Sequence, residues 1–174
     1  LPRDPTVSGH GGTRLALMWL GFDDGARLLR PEQLYDRFEH AACSPERWKD
    51  GVIRCIPSGD DAVYTDAACT DVVGRARVDH RPTHFVAHEV IDGNWVATRV
   101  FRAGPITATL GSYYHRWEGE CLGPFPGDPD LLDHEVTVEV DGASLMPLRD
   151  DQLDGDRLAL KLLVSDDGAR VPVG

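Results

Sequence analysis

The stretch RLALMWLGFDDGAR, residues 14–27, recurs near the other end of the chain as RLALKLLVSDDGAR, residues 157–170. Ten of the fourteen positions are identical without a gap. In each copy Asp-Asp-Gly separates apolar runs, and Asp-Gly in that position predicts a tight turn because glycine adopts positive φ without strain. We therefore predict the same β-hairpin near both ends of the chain.

This repeat leaves two interpretations of the domain organisation. Residues 157–174 either begin a further module or form a closing strand pair in the sheet that contains the first copy. The segment between the copies completes a β-rich module at 14–156. Residues 1–13, which are rich in Pro, Gly, Ser and Thr, are predicted to be a linker.

The composition favours an all-β fold. The 174 residues include 12 Pro and 18 Gly, and they form many short apolar runs rather than long helical patterns. We expect an antiparallel sheet sandwich or barrel, or a propeller-like arrangement. One short helix is predicted near 31–42, because Pro31 suits a first helical position and Leu34, Tyr35 and Phe38 share a helical face.

The net charge of −11 limits the class of partner. Nucleic acids and anionic membranes would be repelled by a chain of this sign. The residues contain no apolar run long enough for direct membrane insertion. A protein or a glycan is therefore the expected partner, although neither is identified by the sequence.

Four cysteines occur without a Cys-x-x-Cys motif, and this even number favours disulfides over a zinc site. Three pairings are possible, of which we favour Cys43–Cys55 and Cys69–Cys121. Disulfides indicate a secreted, periplasmic or cell-surface location, with any signal or anchor outside these residues. The alternative is four buried thiols in a cytosolic protein.

A longer spacing pattern surrounds these cysteines. It runs as Asp50-Gly51-x-x-Arg54-Cys55-x-Pro57 and then Tyr64-x-Asp66-Ala67-Ala68-Cys69-Thr70. Together with the hairpin at 14–27 and the stretch from Tyr113 to Cys121, the pattern resembles modules of uncharacterised secreted or lipid-anchored proteins of high-GC soil bacteria. The resemblance covers about residues 13–125. It implies an exported, disulfide-bonded, β-rich module that is often repeated, and it carries over no activity. The 31–42 segment departs from it, since a Trp-Tyr-Asp loop is expected there.

Three histidines, His80, His84 and His88, recur every four residues, a spacing that could chelate zinc on a helix. Pro82 and the run Thr-His-Phe-Val favour a strand instead. On a strand the histidines stand about 13 Å apart per four residues, so one ion would need ligands from a neighbouring strand, such as His115 or Glu118. Otherwise they are ordinary histidines of a solvated sheet face.

Two other groups of residues could bind ligands. An aromatic set could bind sugars or peptides or could simply fill a sheet core; it contains Trp95, Phe101, Tyr113, Tyr114 and Trp117. The acidic run around Asp150, Gln152 and Asp154 partly imitates a calcium loop. Lys161 occupies the position where an EF-hand has its bidentate Glu, so only another kind of calcium site remains as an alternative to a solvated turn.

No nucleophile elbow, dinucleotide fingerprint, phosphate loop or His-Glu-x-x-His motif occurs. The working hypothesis is a non-catalytic exported module for interaction or structural display, without a cofactor. One alternative is a metal-dependent hydrolase that uses His80, His84, His88 and His115. Another is a carbohydrate-binding domain that uses Trp95, Tyr113, Tyr114 and Trp117.

Overall fold

The structure is a computed structural model, and it describes residues 6–22, 26–107, 109, 111–154 and 159–172. Within them the chain forms fifteen β-strands and a single 3₁₀ turn at Gly142–Ser144. The strands are β1 (Thr6–Gly11), β2 (Leu15–Gly21), β3 (Arg27–Asp36), β4 (Ala41–Arg47), β5 (Ile53–Pro57), β6 (Asp60–Tyr64), β7 (Val72–Arg77), β8 (His84–Ile91), β9 (Asn94–Ile106), β10 (Ser112–Trp117), β11 (Glu120–Pro126), β12 (Leu131–Val140), β13 (Pro147–Asp154), β14 (Ala159–Ser165) and β15 (Arg170–Pro172). The predicted all-β class is confirmed. In this described part of the chain, no helix has the length and apolar character needed to cross a membrane.

The chain divides into two compact units. The first unit consists of the described residues of 1–46, 52–57 and 145–174, and the second consists of 47–51 and 58–144. Each unit has its own sheet, with eight strands in the first and seven in the second.

The eight-stranded sheet has the order β1-β2-β3-β4-β5-β13-β14-β15. Both repeat copies contribute to it, the first through β2 and β3 and the second through β14 and β15. The segment 6–11, predicted as part of a linker, is instead β1, and its Thr6 lies opposite Trp19. This pairing uses backbone hydrogen bonds, so it forms despite a composition that is typical of a linker.

The helix predicted near 31–42 is wrong. Leu34 lies in β3 opposite Leu17 of β2, and the chain then reverses through a four-residue turn into β4. The Asp36 carboxylate accepts the backbone N–H of Phe38 over 2.9 Å, and His40 has a positive φ of 53°. These two features end the extended segment in a turn, because an Asp side chain competes for the N–H groups that a helix would use.

The first unit has a core that includes the Cys43–Cys55 disulfide. Both cysteines are fully buried, and their sulfurs are bonded as the favoured pairing predicts. Side chains from β2, β3, β13, β14, β15 and the β14–β15 turn surround it. The buried cluster is formed by Leu15, Leu34, Cys43, Cys55, Leu148, Leu163, Ala169 and Val171.

The acidic run at 150–154 was predicted to be a turn, but it belongs to strand β13. Asp150 lies opposite Leu163 and Asp151 opposite Leu162, in an unbroken antiparallel ladder with β14. The backbone of this run is therefore extended and paired with a neighbouring strand, whereas a calcium site of this spacing requires a loop.

The seven-stranded sheet of the second unit closes on itself. Antiparallel pairs join β6 to β7, β7 to β12, β12 to β9 and β9 to β8, and a parallel pair joins β8 back to β6. The ring of five strands is therefore a barrel, and β10 and β11 extend it outward from β6. One pairing of the ring departs from the antiparallel prediction, because Asp60 and Phe85 lie side by side on parallel strands.

Small residues let two phenylalanine rings fill this barrel. Phe85 and Phe101 pack with Ala62, Ala76 and Ala87 in one buried cluster. A Cβ atom at Gly74 would lie 2.2 Å from the Phe85 ring, so only glycine fits there. The barrel interior is therefore filled by side chains and is a packed core.

Candidate ligand-binding face

The β10–β11 hairpin extends outward from the barrel of the second unit. Its turn consists of Glu118 and Gly119, whose φ values of 47° and 81° are both positive, as a type I′ turn requires. Trp117 and Glu120 face each other on either side of this turn. The backbone N–H of Glu118 donates to the carbonyl of Val90 over 3.0 Å, which fixes the turn against β8.

One face of this hairpin carries five apolar or aromatic side chains. Tyr113 lies directly opposite Phe125, and His115 lies directly opposite Leu122. Trp117 joins them because it is two residues beyond His115 on the same strand. The rings of Tyr113, His115 and Phe125 lie 5.2 to 5.8 Å apart between centroids. We call these five residues the hairpin face.

Much of the hairpin face is exposed to solvent. Trp117 is 46 % exposed, Leu122 is 40 % exposed and Phe125 is 38 % exposed. Scattered exposed apolar residues are normal, but a contiguous group of them marks an interaction site in soluble proteins. The hairpin face is therefore the candidate binding surface.

The opposite face of the hairpin anchors it to the barrel. Tyr114 pairs with Tyr64 of β6, and the Arg116 guanidinium donates to the carbonyl of Cys69 over 3.0 Å. A Cβ atom at Gly123, which has a φ of 146°, would lie 2.6 Å from the Tyr114 ring. The ring thus requires glycine at this irregular point of β11.

The second disulfide attaches the same hairpin covalently. Cys121 of β11 is bonded to Cys69, as the favoured pairing predicts. Asp66 shapes the Cys69 loop by accepting backbone N–H groups of Asp71 and Thr70 over 2.9 and 2.8 Å, together with the Thr70 hydroxyl. Hydrogen bonds, led by that of Asp71, lower the pKa of Asp66 to about 2 against the opposing effect of burial. Both disulfides indicate an oxidising environment.

A cleft of about 160 Å³ opens beside Tyr113 and His115. Polar residues of β6 and β7 line its other side. These are Asp60, Asp61, Arg75 and Arg77. The hairpin face is therefore continuous with a polar recess.

Arg75 is the buried cation of this recess. It is 4 % exposed, and its Nε donates to Asp133 over 2.9 Å. Its guanidinium carbon lies 4.4 Å from the centre of the Tyr113 ring, a cation–π contact. Its buried Nη2 has no hydrogen-bond acceptor in the part of the chain that the structure describes.

His115 remains neutral at pH 7. Burial lowers the pKa of its imidazole and Arg75 lowers it further, whereas Asp61 acts in the opposite direction. The ring therefore adds an aromatic surface to the hairpin face and no positive charge.

The structure separates the aromatic residues that the sequence singled out. Tyr113 and Trp117 lie together on the hairpin face, while Tyr114 lies on its opposite side. Trp95 lies on β9, where its ring stacks on His88 with centroids 5.3 Å apart, and it is 57 % exposed. The predicted binding set thus divides among three surfaces.

The four histidines are also in different surroundings. His80 forms a hydrogen bond of 2.6 Å with the Asp60 carboxylate. His84 is buried beside Thr83, and the His88 ring stacks on that of Trp95. His115 lies on the hairpin face. Among the described residues, no three His, Cys, Asp or Glu side chains are grouped in a way that could hold a metal ion.

Several residues of the candidate site were not predicted. Leu122 and Phe125 stand among Gly123, Pro124 and Pro126, which are typical turn residues and indicate a loop rather than the strand β11. Arg75 and Asp61 belong to no sequence motif that marks a binding site. Their position depends on the β6–β7 pairing and on the attachment of β10 to β6, in which Tyr114 pairs with Tyr64 from far along the chain.

Comparison with protein families identifies a match over nearly the whole chain. A model described as a family of unknown function, DUF7481, matches residues 3–174, nearly the whole chain. The chain belongs to the DUF7481 family. No curated protein and no solved structure matches it. For this DUF7481 member, function is therefore argued from its own residues.

Proposed function

We propose that this DUF7481 protein is a non-catalytic, exported interaction module that binds its ligand through the hairpin face. The observation that carries the proposal is the row of five apolar and aromatic side chains on one side of β10–β11, three of them more than a third exposed. Exposing such a surface costs solubility, so its retention is best explained by a ligand that covers it.

The anchoring of the hairpin supports a binding role. The Cys69–Cys121 disulfide, the Arg116 contact and the Glu118–Val90 hydrogen bond hold the hairpin in one place from three directions. A surface that is already ordered loses little conformational entropy when a ligand binds.

Two observations support export. The disulfides suit an oxidising compartment, and the spacing around Cys55 and Cys69 resembles that of secreted or lipid-anchored modules. Alkylation of the protein isolated from its native host, followed by mass spectrometry, tests this part. We expect no modified cysteine without prior reduction, whereas four modified thiols would contradict export.

Binding without turnover is tested with a panel of immobilised extracellular polysaccharides and unstructured peptides. The wild type is compared with the double variant Trp117→Ser/Phe125→Ser. Phe38→Ser is the matched control, because Phe38 is a 62 % exposed ring of the first unit. We expect the double variant to lose at least about tenfold in affinity for the retained panel member, and the control to stay within about twofold.

Two results would contradict the proposal. One is equal retention of a panel member by the wild type and the double variant. The other is chemical conversion of the retained polymer by the wild type, detected as new reducing ends or new peptide termini.

A further inference from the structure

We infer that the ligand of the hairpin face is an uncharged saccharide, whose ring stacks on the exposed aromatic side chains while its hydroxyl groups enter the cleft beside Arg75. This inference rests on the proposed function and names the ligand class of the same site. It depends on three properties of the site: the ring surfaces, the hydrogen-bonding groups of the cleft and the balance of charge.

The ring surfaces suit the C–H groups of a sugar. Trp117 and Phe125 present exposed π-systems, whose faces carry partial negative charge and attract weakly positive hydrogens. One side of a pyranose ring consists largely of C–H groups. A flat, partly apolar ligand therefore covers this surface better than a fully hydrated ion does.

The cleft offers hydrogen-bonding groups of both kinds. The Arg77 guanidinium lines the cleft and supplies donors, since its side chain is 74 % exposed. The exposed carboxylate of Asp61, on the same cleft, supplies acceptors. A hydroxyl group is both donor and acceptor, so it complements this mixture.

The cleft is also the right size for an edge of a ligand rather than for a whole molecule. Its volume of about 160 Å³ is small beside the roughly 300–1,000 Å³ of pockets that enclose a whole ligand. One or two hydroxyl groups fit there while the rest of the sugar lies on the hairpin face. The aromatic surface and the cleft thus act on different parts of one ligand.

The charges around the cleft are nearly balanced. Arg75 is paired with Asp133, Asp60 with His80 and Arg77 with Asp79. His115 is neutral at pH 7 because burial lowers its pKa. The remaining Asp61 and the net charge of −11 oppose an anionic ligand, and the two arginines oppose a cationic one.

Isothermal titration calorimetry with neutral tetrasaccharides tests the inference. The probes are cellotetraose, maltotetraose, mannotetraose and the fully N-acetylated chitotetraose, each titrated into the intact protein. We expect at least one to bind with an affinity that changes less than about twofold between about 50 and 500 mM NaCl, because no net charge is neutralised.

Two variants locate the site, and both positions are exposed enough for the fold to tolerate the change. Trp117→Ala is expected to weaken binding at least about tenfold through the lost ring surface, and Asp61→Asn at least about threefold through the lost hydroxyl contact. The controls are Phe38→Ala and Asp71→Asn, which change an exposed ring and an exposed carboxylate elsewhere. Both controls should bind as the wild type does.

Each other outcome overturns the inference in a recognisable way. If none of the four sugars binds, but a peptide binds in a manner that Trp117→Ala abolishes, the ligand class is wrong and the proposed function stands. If a charged polysaccharide binds more tightly than the neutral sugars, and its affinity falls as the NaCl concentration rises, the ligand class is again wrong and the proposed function stands. If sugar binding is unaffected by Trp117→Ala and Asp61→Asn, the inference and the proposed function both fail.

Discussion

The carboxylate of Asp167, in the turn of the second repeat copy, accepts the backbone N–H of Leu15, at the start of the first copy, over 2.9 Å. The same oxygen accepts the N–H of Arg14, and the other oxygen accepts the Ser165 hydroxyl. The two copies of the repeated sequence therefore contact each other directly. This contact brings the β14–β15 turn against the beginning of β2 within the first unit.

Replacement of Asp167 by alanine is expected to lower the free energy of unfolding by about 2 kcal/mol, since two backbone N–H groups lose a charged acceptor. Urea denaturation measures the change. Asp166→Ala is the matched control, because Asp166 is 58 % exposed and its ion pair with Arg149 lies at the surface. Its loss should stay below about 1 kcal/mol. Equal losses in the two variants would show that the contact between the copies contributes no stability.

The contribution of Asp167 should also depend on pH. Burial raises the pKa of its carboxyl, but the hydrogen bonds from Ser165, Leu15 and Arg14 outweigh this effect and hold the pKa below its ordinary value of 3.8. A carboxyl with a lowered folded-state pKa stabilises the fold above its unfolded pKa and loses that effect as the pH falls through the folded value. The difference between wild type and Asp167→Ala should therefore be constant from pH 7 to about 5 and shrink below about 4.

Asp66 is expected to stay ionised at unusually low pH. Its backbone hydrogen bonds from Asp71 and Thr70 place its pKa at about 2. Carboxyl ¹³C shifts followed by NMR between pH 1 and 6 measure the midpoint. Thr70→Val removes the hydroxyl donor and should raise that midpoint toward the ordinary value of 3.8. A midpoint near 3.8 in the wild type would contradict the hydrogen-bonded geometry of the Cys69 loop.

The two disulfides should differ in their resistance to reduction. Cys43 and Cys55 are both fully buried, whereas Cys121 is half-buried next to the turn of the hairpin. Thiolate attack requires access to sulfur, so limited dithiothreitol should open Cys69–Cys121 first. Alkylation and peptide mapping at increasing times measure the order. Earlier labelling of Cys43 or Cys55 in folded protein would contradict it.

The buried pair of Arg75 and Asp133 should be far more sensitive to substitution than an exposed pair. Asp133 is fully buried, so Asp133→Asn leaves an uncompensated charge on Arg75 and should cost about 3–5 kcal/mol. Asp79→Asn breaks the exposed pair with Arg77 and should cost below about 1 kcal/mol. Urea denaturation of both variants measures the free energy of unfolding. Comparable losses in the two variants would show that Arg75 is more exposed to solvent than it is in the structure.

Sequence patterns predicted the parts of this fold that depend on local chemistry. Glycine turns and apolar runs indicated the β class, and the number and spacing of cysteines indicated both disulfides. The prediction of a helix near 31–42 was wrong. Leu34 and Phe38 suggest one helical face, but the Asp36 carboxylate stabilises the turn that contains Phe38. The turn predicted at 150–154 was wrong because the run pairs with β14, and no local sequence pattern indicates that pairing.

The candidate site was predicted only in part, for a similar reason. Tyr113 and Trp117 were recognised because aromatic residues are candidates by their chemistry. Phe125 was missed because the surrounding prolines and Gly123 suggested a loop. Arg75 and Asp61 join the site only through the order of strands around the barrel, and no local pattern records that order.

The most direct test of the central claim, that the hairpin face binds the ligand, is an NMR titration of the indole N–H signals. The chain has four tryptophans and hence four such signals. With whichever neutral tetrasaccharide binds in the calorimetric series, the account predicts that the Trp117 signal, assigned with Trp117→Phe, shifts on binding while the signal of buried Trp48 does not. A shift of Trp95 with an unmoved Trp117 would contradict the account and transfer the site to the surface that Trp95 forms with His88.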